Sequence, residues 1–233
     1  MSFKLDHISP KVVGELALKD FCPRCFWLKA RLGFKTPWSI FPGIFMTLDG
    51  YSKKCTTIHI GEGKGIPAWL KPYGEAIAQI PEMHWSKFAA IDPSTGVLVR
   101  GVFDEMFRLK DGTIAIWDYK TSKYKGADDS LLPMYVTQLS GYRFIAKALG
   151  MGETSKTGLC YYEPTAEPTL ADLTDNGFRM SFTAHVHPIE TSVDDFLKLV
   201  AQAKAIAELP TAPQGVAKCK NCVLIDQIQE LKV

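Results

Sequence analysis

The chain has no apolar run long enough to cross a bilayer, no internal repeat, no low-complexity tract, and an excess charge of only +2 over 233 residues. The missing apolar run excludes a transmembrane helix. The start, MSFKLDHISPK, lacks the basic-then-apolar layout of an export signal, so a cytoplasmic protein with no membrane contact is expected. The near-neutral balance excludes a polycation, and any nucleic-acid surface has to come from local clustering of Lys and Arg. Three catalytic signatures are also absent: the GxSxG elbow, the GxxxxGK[ST] phosphate loop and the HExxH pair, which excludes the hydrolases and nucleotidases built on them. The glycine-rich GEGKG (Gly61 to Gly65) does not fit the phosphate loop and reads as a flexible loop. Without an export signal, disulfides are a poor account of the six cysteines.

What is present is an ordinary globular composition, 46% hydrophobic and 22% charged, in a length that suits one large domain better than two small ones. The informative stretch runs from Gly101 to Tyr142. GVFDEMF contains GxxD, with Asp104. TIAIWDYKTSK contains DxK, with Asp118 fourteen residues after Asp104, and QLSGY contains QxxxY, with Gln138 eighteen residues after Lys120. Each piece alone is common in proteins, but the ordered set is hard to obtain by accident.

Two runs, Val97 to Leu109 and Thr113 to Lys120, are rich in Val, Ile and aromatics and are separated by turn residues, which predicts a hairpin. Loop length decides whether the two Asp residues meet. A two-residue Asp111-Gly112 loop sets Asp104 opposite Tyr119; a three-residue loop, Lys110-Asp111-Gly112 with Gly112 left-handed, sets Asp104 opposite Asp118. The three-residue loop is the expectation. Lys120, two residues beyond Asp118, shares its face of the strand. Pro133 and Gly150 bracket a helix on which Gln138 and Tyr142, four apart, share a side and either line the site or touch a nucleic-acid backbone.

Hydrolysing a phosphodiester at neutral pH calls for a hard cation, an activated water and a positive group to orient them. Carboxylates on neighbouring strands suit Mg2+ or Mn2+, so Asp104 and Asp118 are the expected ligands, with Lys120 positioning the water and stabilising developing charge. Lys120, Lys123 and Lys125 crowd the exit of this site. Lys53, Lys54 and the segment from Lys29 to Lys35 are further basic candidates, and Trp27, Trp117 and Tyr124 are candidates for stacking on bases.

Elsewhere, Ser9-Pro10 reads as a helix start, Pro42 to about Ile58 as a helix carrying Asp49, and Thr157 to Glu163 and Phe178 to Pro188 as strands joined by a polar loop. Thr191 or Ser192 opens a helix that ends near Leu209. Cys22 and Cys25 form one CxxC, and Cys219 and Cys222 form another nearly two hundred residues later. Such pairs more often hold metal, and four thiolates suit either tetrahedral Zn2+, which the spacing alone favours, or an iron-sulfur cluster. Either would staple the N-terminal helices to the C-terminal tail. Cys55 and Cys160 read as packing residues.

The set GxxD, DxK, QxxxY resembles the RecB-like branch of the PD-(D/E)XK nuclease superfamily. The resemblance implies an α/β fold: a nuclease core with a mixed central β-sheet flanked by helices. It also implies one domain over residues 1–233, in which 1–35 and 210–233 form a cysteine-metal clasp. It assigns Mg2+ or Mn2+ to Asp104, Asp118 and the Tyr119 carbonyl, catalysis to Lys120, and a hold on DNA to Gln138 and Tyr142. Iron-sulfur members of the branch carry a [4Fe-4S] cluster on cysteines at both ends of the domain, usually one early and three late. The two-plus-two set here (Cys22, Cys25, Cys219, Cys222) keeps the count, with Zn2+ as the alternative. The upstream GxxxH of these nucleases is missing, since Thr47 stands four residues after Gly43; of the substitutes Asp49, His59 and His84, Asp49 is the best placed by register on its helix and His59 the runner-up.

The implied function is metal-dependent hydrolysis of DNA, as a single-strand exonuclease in repair, recombination, CRISPR adaptation or phage DNA processing, alone or beside helicase or CRISPR and recombination partner proteins. Two alternatives stand beside it: a non-catalytic nucleic-acid-binding or adaptor module on a nuclease fold, and a site-specific endonuclease.

Overall fold

The computed structural model describes residues 3–34 and 42–231. A two-residue strand, β1 (His7–Ile8), leads into the short helix α1 (Pro10–Gly14), which the Ser9 side chain caps by accepting the Val12 N–H. Helices α2 (Pro23–Arg31) and α3 (Gly43–His59) follow. Strands β2 (Ala76–Gln79), β3 (Ala89–Ile91), β4 (Leu98–Arg100) and β5 (Glu105–Leu109) precede β6 (Ile114–Lys120), helix α4 (Leu132–Ala148) and β7 (Thr154–Pro164). A small hairpin of β8 (Leu173–Thr174) and β9 (Gly177–Phe178), strand β10 (Phe182–Pro188) and helices α5 (Val193–Ala207) and α6 (Lys220–Glu230) complete the order. Lys35, the end of one expected basic segment, lies outside the described residues.

The main sheet has the order β10-β7-β6-β5-β2, and it is mixed: β6 and β7 run parallel and the other neighbours antiparallel. The parallel pair needs a crossover, which α4 supplies. Strand β6 sits at the centre, and its side chains alternate between two apolar layers. Ile114 and Ile116 pack with α1, α4 and α5 in one; Ala115, Trp117 and Tyr119 pack with Phe107, Leu109, Cys160 and Tyr162 in the other. Asp118 and Lys120, in phase with Ile116, therefore belong to the α4 face. Among the described residues no helix is long and apolar enough to cross a membrane.

The hairpin loop has three residues. Leu109 N–H bonds the Thr113 carbonyl at 2.9 Å, and Gly112 holds the left-handed conformation at φ 85°. Glu105 pairs with Trp117 and Phe107 with Ala115, and continuing that register sets Asp104 opposite Asp118.

Three local expectations are corrected. The run from Val97 to Leu109 is not one strand: β4 pairs with β1 and β3 in a second, three-stranded sheet, and the chain changes sheets across Gly101–Asp104. Gly101 lies where a Cβ would meet the Tyr142 ring at 3.0 Å and Pro10 at 3.4 Å, so the crossing slips between α1 and α4. Phe178 belongs to the β8–β9 hairpin inside the expected polar loop, and β10 starts only at Phe182. Residues Ile60–Lys64 extend α3 as a π-helical turn in place of the expected loop.

Candidate active site

Asp104, Asp118, the Tyr119 segment, Lys120, Gln138 and Tyr142 line one cleft of about 470 Å3, together with Lys11, Asp49 and Tyr135. The sheet brings the two acids together through the three-residue loop. Asp104 Oδ2 accepts the Tyr119 N–H at 2.8 Å, so its carboxylate is anchored on the next strand's backbone. Tyr119's hydroxyl is engaged in the opposite layer, where it donates to buried Glu105 at 3.1 Å and sits 3.1 Å from Thr56 of α3.

Asp118 is only 2% exposed. Its Oδ1 accepts from Gln138 Nε2 at 3.0 Å, and its Oδ2 pairs with the Lys120 ammonium. Burial pushes the Asp118 carboxyl up to about 6, a rise that Lys120 opposes and Asp104 reinforces. Burial disfavours the Lys120 ammonium in turn, yet the Asp118 carboxylate outweighs it and holds the lysine above its ordinary value. The ammonium also lies 4.1 Å from the Tyr135 ring centre, which fixes it between a carboxylate and an aromatic face.

Gln138 and Tyr142, which the resemblance assigns to holding DNA, are buried beneath the cleft and bonded to each other at 2.9 Å. Gln138's amide nitrogen also serves Asp118, so the polar groups of this pair are directed at the acid. Its carbonyl oxygen is buried with no hydrogen-bond partner. Gly141 seats the helix: a Cβ there would meet Pro10 at 2.6 Å and Phe196 at 2.7 Å, so α1 reaches α4 closely enough for Lys11 to join the cleft.

Of the three substitutes for the missing upstream His, Asp49 alone lines the cleft. His59 bonds the Gly65 carbonyl at 2.9 Å, and His84 bonds Ser86 at 2.8 Å, both away from the acids. The Asp49 carboxyl is raised by burial and by Asp104. Lys53, one turn along α3, contacts Asp104 at 2.9 Å, Asp49 at 3.2 Å and Glu82 at 3.6 Å. Three carboxylates and an orphaned amide oxygen, with no cysteine or histidine among the cleft residues, suit a hard, hydrated divalent cation.

Sequence reasoning missed Tyr135 and Lys11 and took Lys53 only as a candidate for a basic nucleic-acid surface. Tyr135 could have been found, because Tyr135, Gln138 and Tyr142 stand at i, i+3 and i+7 on α4. Lys11 carries no local signal, since only the packing of α1 on α4 brings it in. Of the aromatics proposed for base stacking, Trp117 is core, edge-on to Phe107, Trp27 donates to the Leu209 carbonyl at 2.9 Å, and Tyr124 lies parallel to His185 at 4.8 Å. Cys160 is buried as expected, but Cys55 is exposed, in an open groove that it lines with Tyr162 of β7 and Phe182 and Ala184 of β10.

The second candidate centre joins the two ends of the described chain. The sulfurs of Cys22, Cys25, Cys219 and Cys222 all lie within 4.8 Å of one another. Cys22 is the N-cap of α2 and Cys219 that of α6, so two helix N-termini converge on the thiols. The Val216 N–H points at Cys22 Sγ at 3.5 Å. Desolvation works against the Cys22 thiolate, but the backbone N–H groups of Cys25 and Val216 overcome it and lower the thiol to about 7. Gly215 lets the loop lie against the cluster, as a Cβ there would stand 2.7 Å from Cys222 Sγ. Arg24 and Asp226 tie α2 to α6 with an ion pair of 2.6 Å.

A family model described as "PD-(D/E)XK nuclease superfamily" matches residues 65–226. That span contains Asp104, Asp118, Lys120, Gln138, Tyr142, Cys219 and Cys222; Asp49, Lys53 and the first CxxC precede it. Nine chains of known structure match. One, titled "Crystal structure of SSO0001", is 15% identical with a TM-score of 0.43, and the match covers 97% of this chain and 87% of that one. The comparison with curated proteins found no match.

Proposed function

We propose, from the premise that this chain belongs to the PD-(D/E)XK nuclease superfamily, that it is a RecB-like, Mg2+- or Mn2+-dependent deoxyribonuclease acting as an exonuclease on single strands. The observation that carries the reading is the meeting of Asp104, Asp118 and Lys120 in one cleft through the three-residue hairpin loop. Asp104 and Asp118, with the Tyr119 carbonyl, would hold the divalent ion, and Asp49 supplies a third carboxylate. Such an ion neutralises the non-bridging phosphate oxygens and acidifies a bound water.

The chain's own residues divide the remaining work. Lys120, held charged by Asp118, suits orientation of the attacking water and stabilisation of developing negative charge better than proton abstraction. Tyr135 keeps its ammonium over the cleft. Gln138 and Tyr142 orient Asp118 from below. Residues 1–233 act in this reading as one nuclease domain, clasped by its cysteines.

The four-cysteine centre is a metal site, and the resemblance favours [4Fe-4S]. The close mutual approach of the sulfurs supports zinc as a second reading, because a tetrahedral ion with bonds of about 2.3 Å sets its ligands about 3.8 Å apart. Iron, sulfide and zinc analysis of anaerobically purified protein separates the two.

The functional test is Mn2+-dependent cleavage of end-labelled linear and closed circular single-stranded DNA, beside Lys120→Ala. Loss of the linear strand, resistance of the circle and silence of the variant are expected. Cleavage of the circle would make it an endonuclease, and inactivity of folded, metal-replete protein would make it a binding module.

A further inference from the structure

Beside the cleft stands a charged group that the nuclease reading does not use. Lys53 stands on α3 one turn after Asp49, and its side chain is only 23% exposed. A surface lysine ordinarily keeps its ammonium in water and gains little from a single exposed partner. Here the ammonium is drawn inward to three carboxylates at once, Asp104, Asp49 and Glu82.

The way Asp104 is shared gives this contact a consequence. Its Oδ2 already accepts the Tyr119 N–H, and its Oδ1 is the atom that Lys53 holds at 2.9 Å. A divalent cation bound by Asp104 through Oδ1, with Asp49 beside it, competes for the same oxygens as the ammonium. Lys120 makes its ion pair with the other acid, at Asp118 Oδ2, and lies over Tyr135, so the oxygen of Asp104 that faces the site is held by Lys53.

We propose that Lys53 is a resident counter-ion of the metal site: its ammonium stands in for the cation at Asp104 and Asp49 in the metal-free protein, has to withdraw when a divalent ion enters, and so sets the metal concentration at which the site fills. The proposal rests on the nuclease reading of the cleft. A tethered monocation with four rotatable bonds suits the task, because it keeps three acids from repelling one another without occupying the site irreversibly.

The test is Mn2+ binding to the full-length protein without nucleic acid, near neutral pH, with the thiol centre kept intact by anaerobic purification. Calorimetry and the electron paramagnetic resonance signal of free Mn2+ report the affinity of wild type, Lys53→Met, Lys53→Gln, Lys53→Arg and Asp104→Asn. Removing the competing charge is expected to tighten binding about tenfold or more in Lys53→Met and Lys53→Gln, and to leave it no tighter in Lys53→Arg, which keeps the cation. Lys53→Gln preserves most of the stem, so a packing defect in Lys53→Met does not decide the outcome. If both neutral variants bind Mn2+ no tighter than wild type while Asp104→Asn abolishes binding, the counter-ion proposal is overturned and the nuclease reading stands. If wild type and all lysine variants fail to bind, or Asp104→Asn binds as well as wild type, the metal-site reading itself falls and takes the proposal with it.

Discussion

The cleft and the thiol cluster are both candidate metal centres, and they balance negative charge by opposite means. Around Asp104 and Asp118 the compensating groups are side chains, Lys120, held over Tyr135, and Lys53, which can move when a cation arrives. Around the four cysteines they are backbone: the Val216 N–H in the preceding loop, and the N-termini of α2 and α6, which cannot move without unfolding a helix. Hard oxygen donors with a mobile counter-ion describe a site that exchanges its ligands. Four thiols with fixed dipoles describe one that keeps its metal and holds the chain ends together.

The largest effect that sharpens this contrast is on catalysis alone. Lys120→Ala is expected to lower nuclease turnover about 100- to 1000-fold while the protein still folds and unfolds cooperatively. Turnover on labelled single strands beside thermal unfolding checks both halves, and a folded variant that cuts normally would remove the cleft from the chemistry. Next comes the reverse pattern. Cys22→Ser should release the metal and lower the unfolding temperature by about 10 °C or more, the equivalent of about 3 kcal/mol or more in a chain of this size. Metal analysis and calorimetry test it; loss of metal with no loss of stability would mean that the clasp is not structural.

A smaller effect tests whether the two centres are mechanically separate. Gly141→Ala forces a Cβ against Pro10 and Phe196 and should cost about 3 kcal/mol at most, read from denaturant unfolding. It should disturb the cleft through α1 and α4 and leave the metal content of the thiol centre unchanged. The smallest effect is electrostatic. Burial raises the Asp118 carboxyl to about 6 in the metal-free protein, above the unfolded value of about 3.9. A raised carboxyl binds its proton more tightly when folded, so the stability this group contributes is present below about pH 4 and is lost as pH rises through about 6. Asp118→Asn should abolish that slope between pH 4 and 6 in thermal unfolding of metal-free protein, and an unchanged slope would assign it elsewhere.

The comparison also separates what was legible from what was not. The spacing of Asp104, Asp118, Lys120, Gln138 and Tyr142 and the length of the hairpin loop are local properties, and the fold realises them in place. The cysteine pairs were legible as one candidate ligand set because CxxC on a helix start brings two thiols to one end of one element, and two such elements suffice. The division of 97–109 into two strands was not, because it depends on which distant strands lie beside each half. Exposure of Cys55 was invisible for the same reason: a helix pattern shows which residues share a face but not how closely the sheet covers it.

By itself the sequence determined the hairpin register, the shared face of Asp118 and Lys120, the helix carrying Gln138 and Tyr142, and the two cysteine pairs, since periodicity, turn chemistry and short spacings act within one or two elements. The register of its helix already favoured Asp49 over His59 and His84 at the acids; tertiary structure alone decided that Gln138 turns to Asp118 and that Lys53 lies between Asp49 and Asp104. Those outcomes depend on how α3, α4 and the sheet pack together, and packing is set by contacts between residues far apart in the chain.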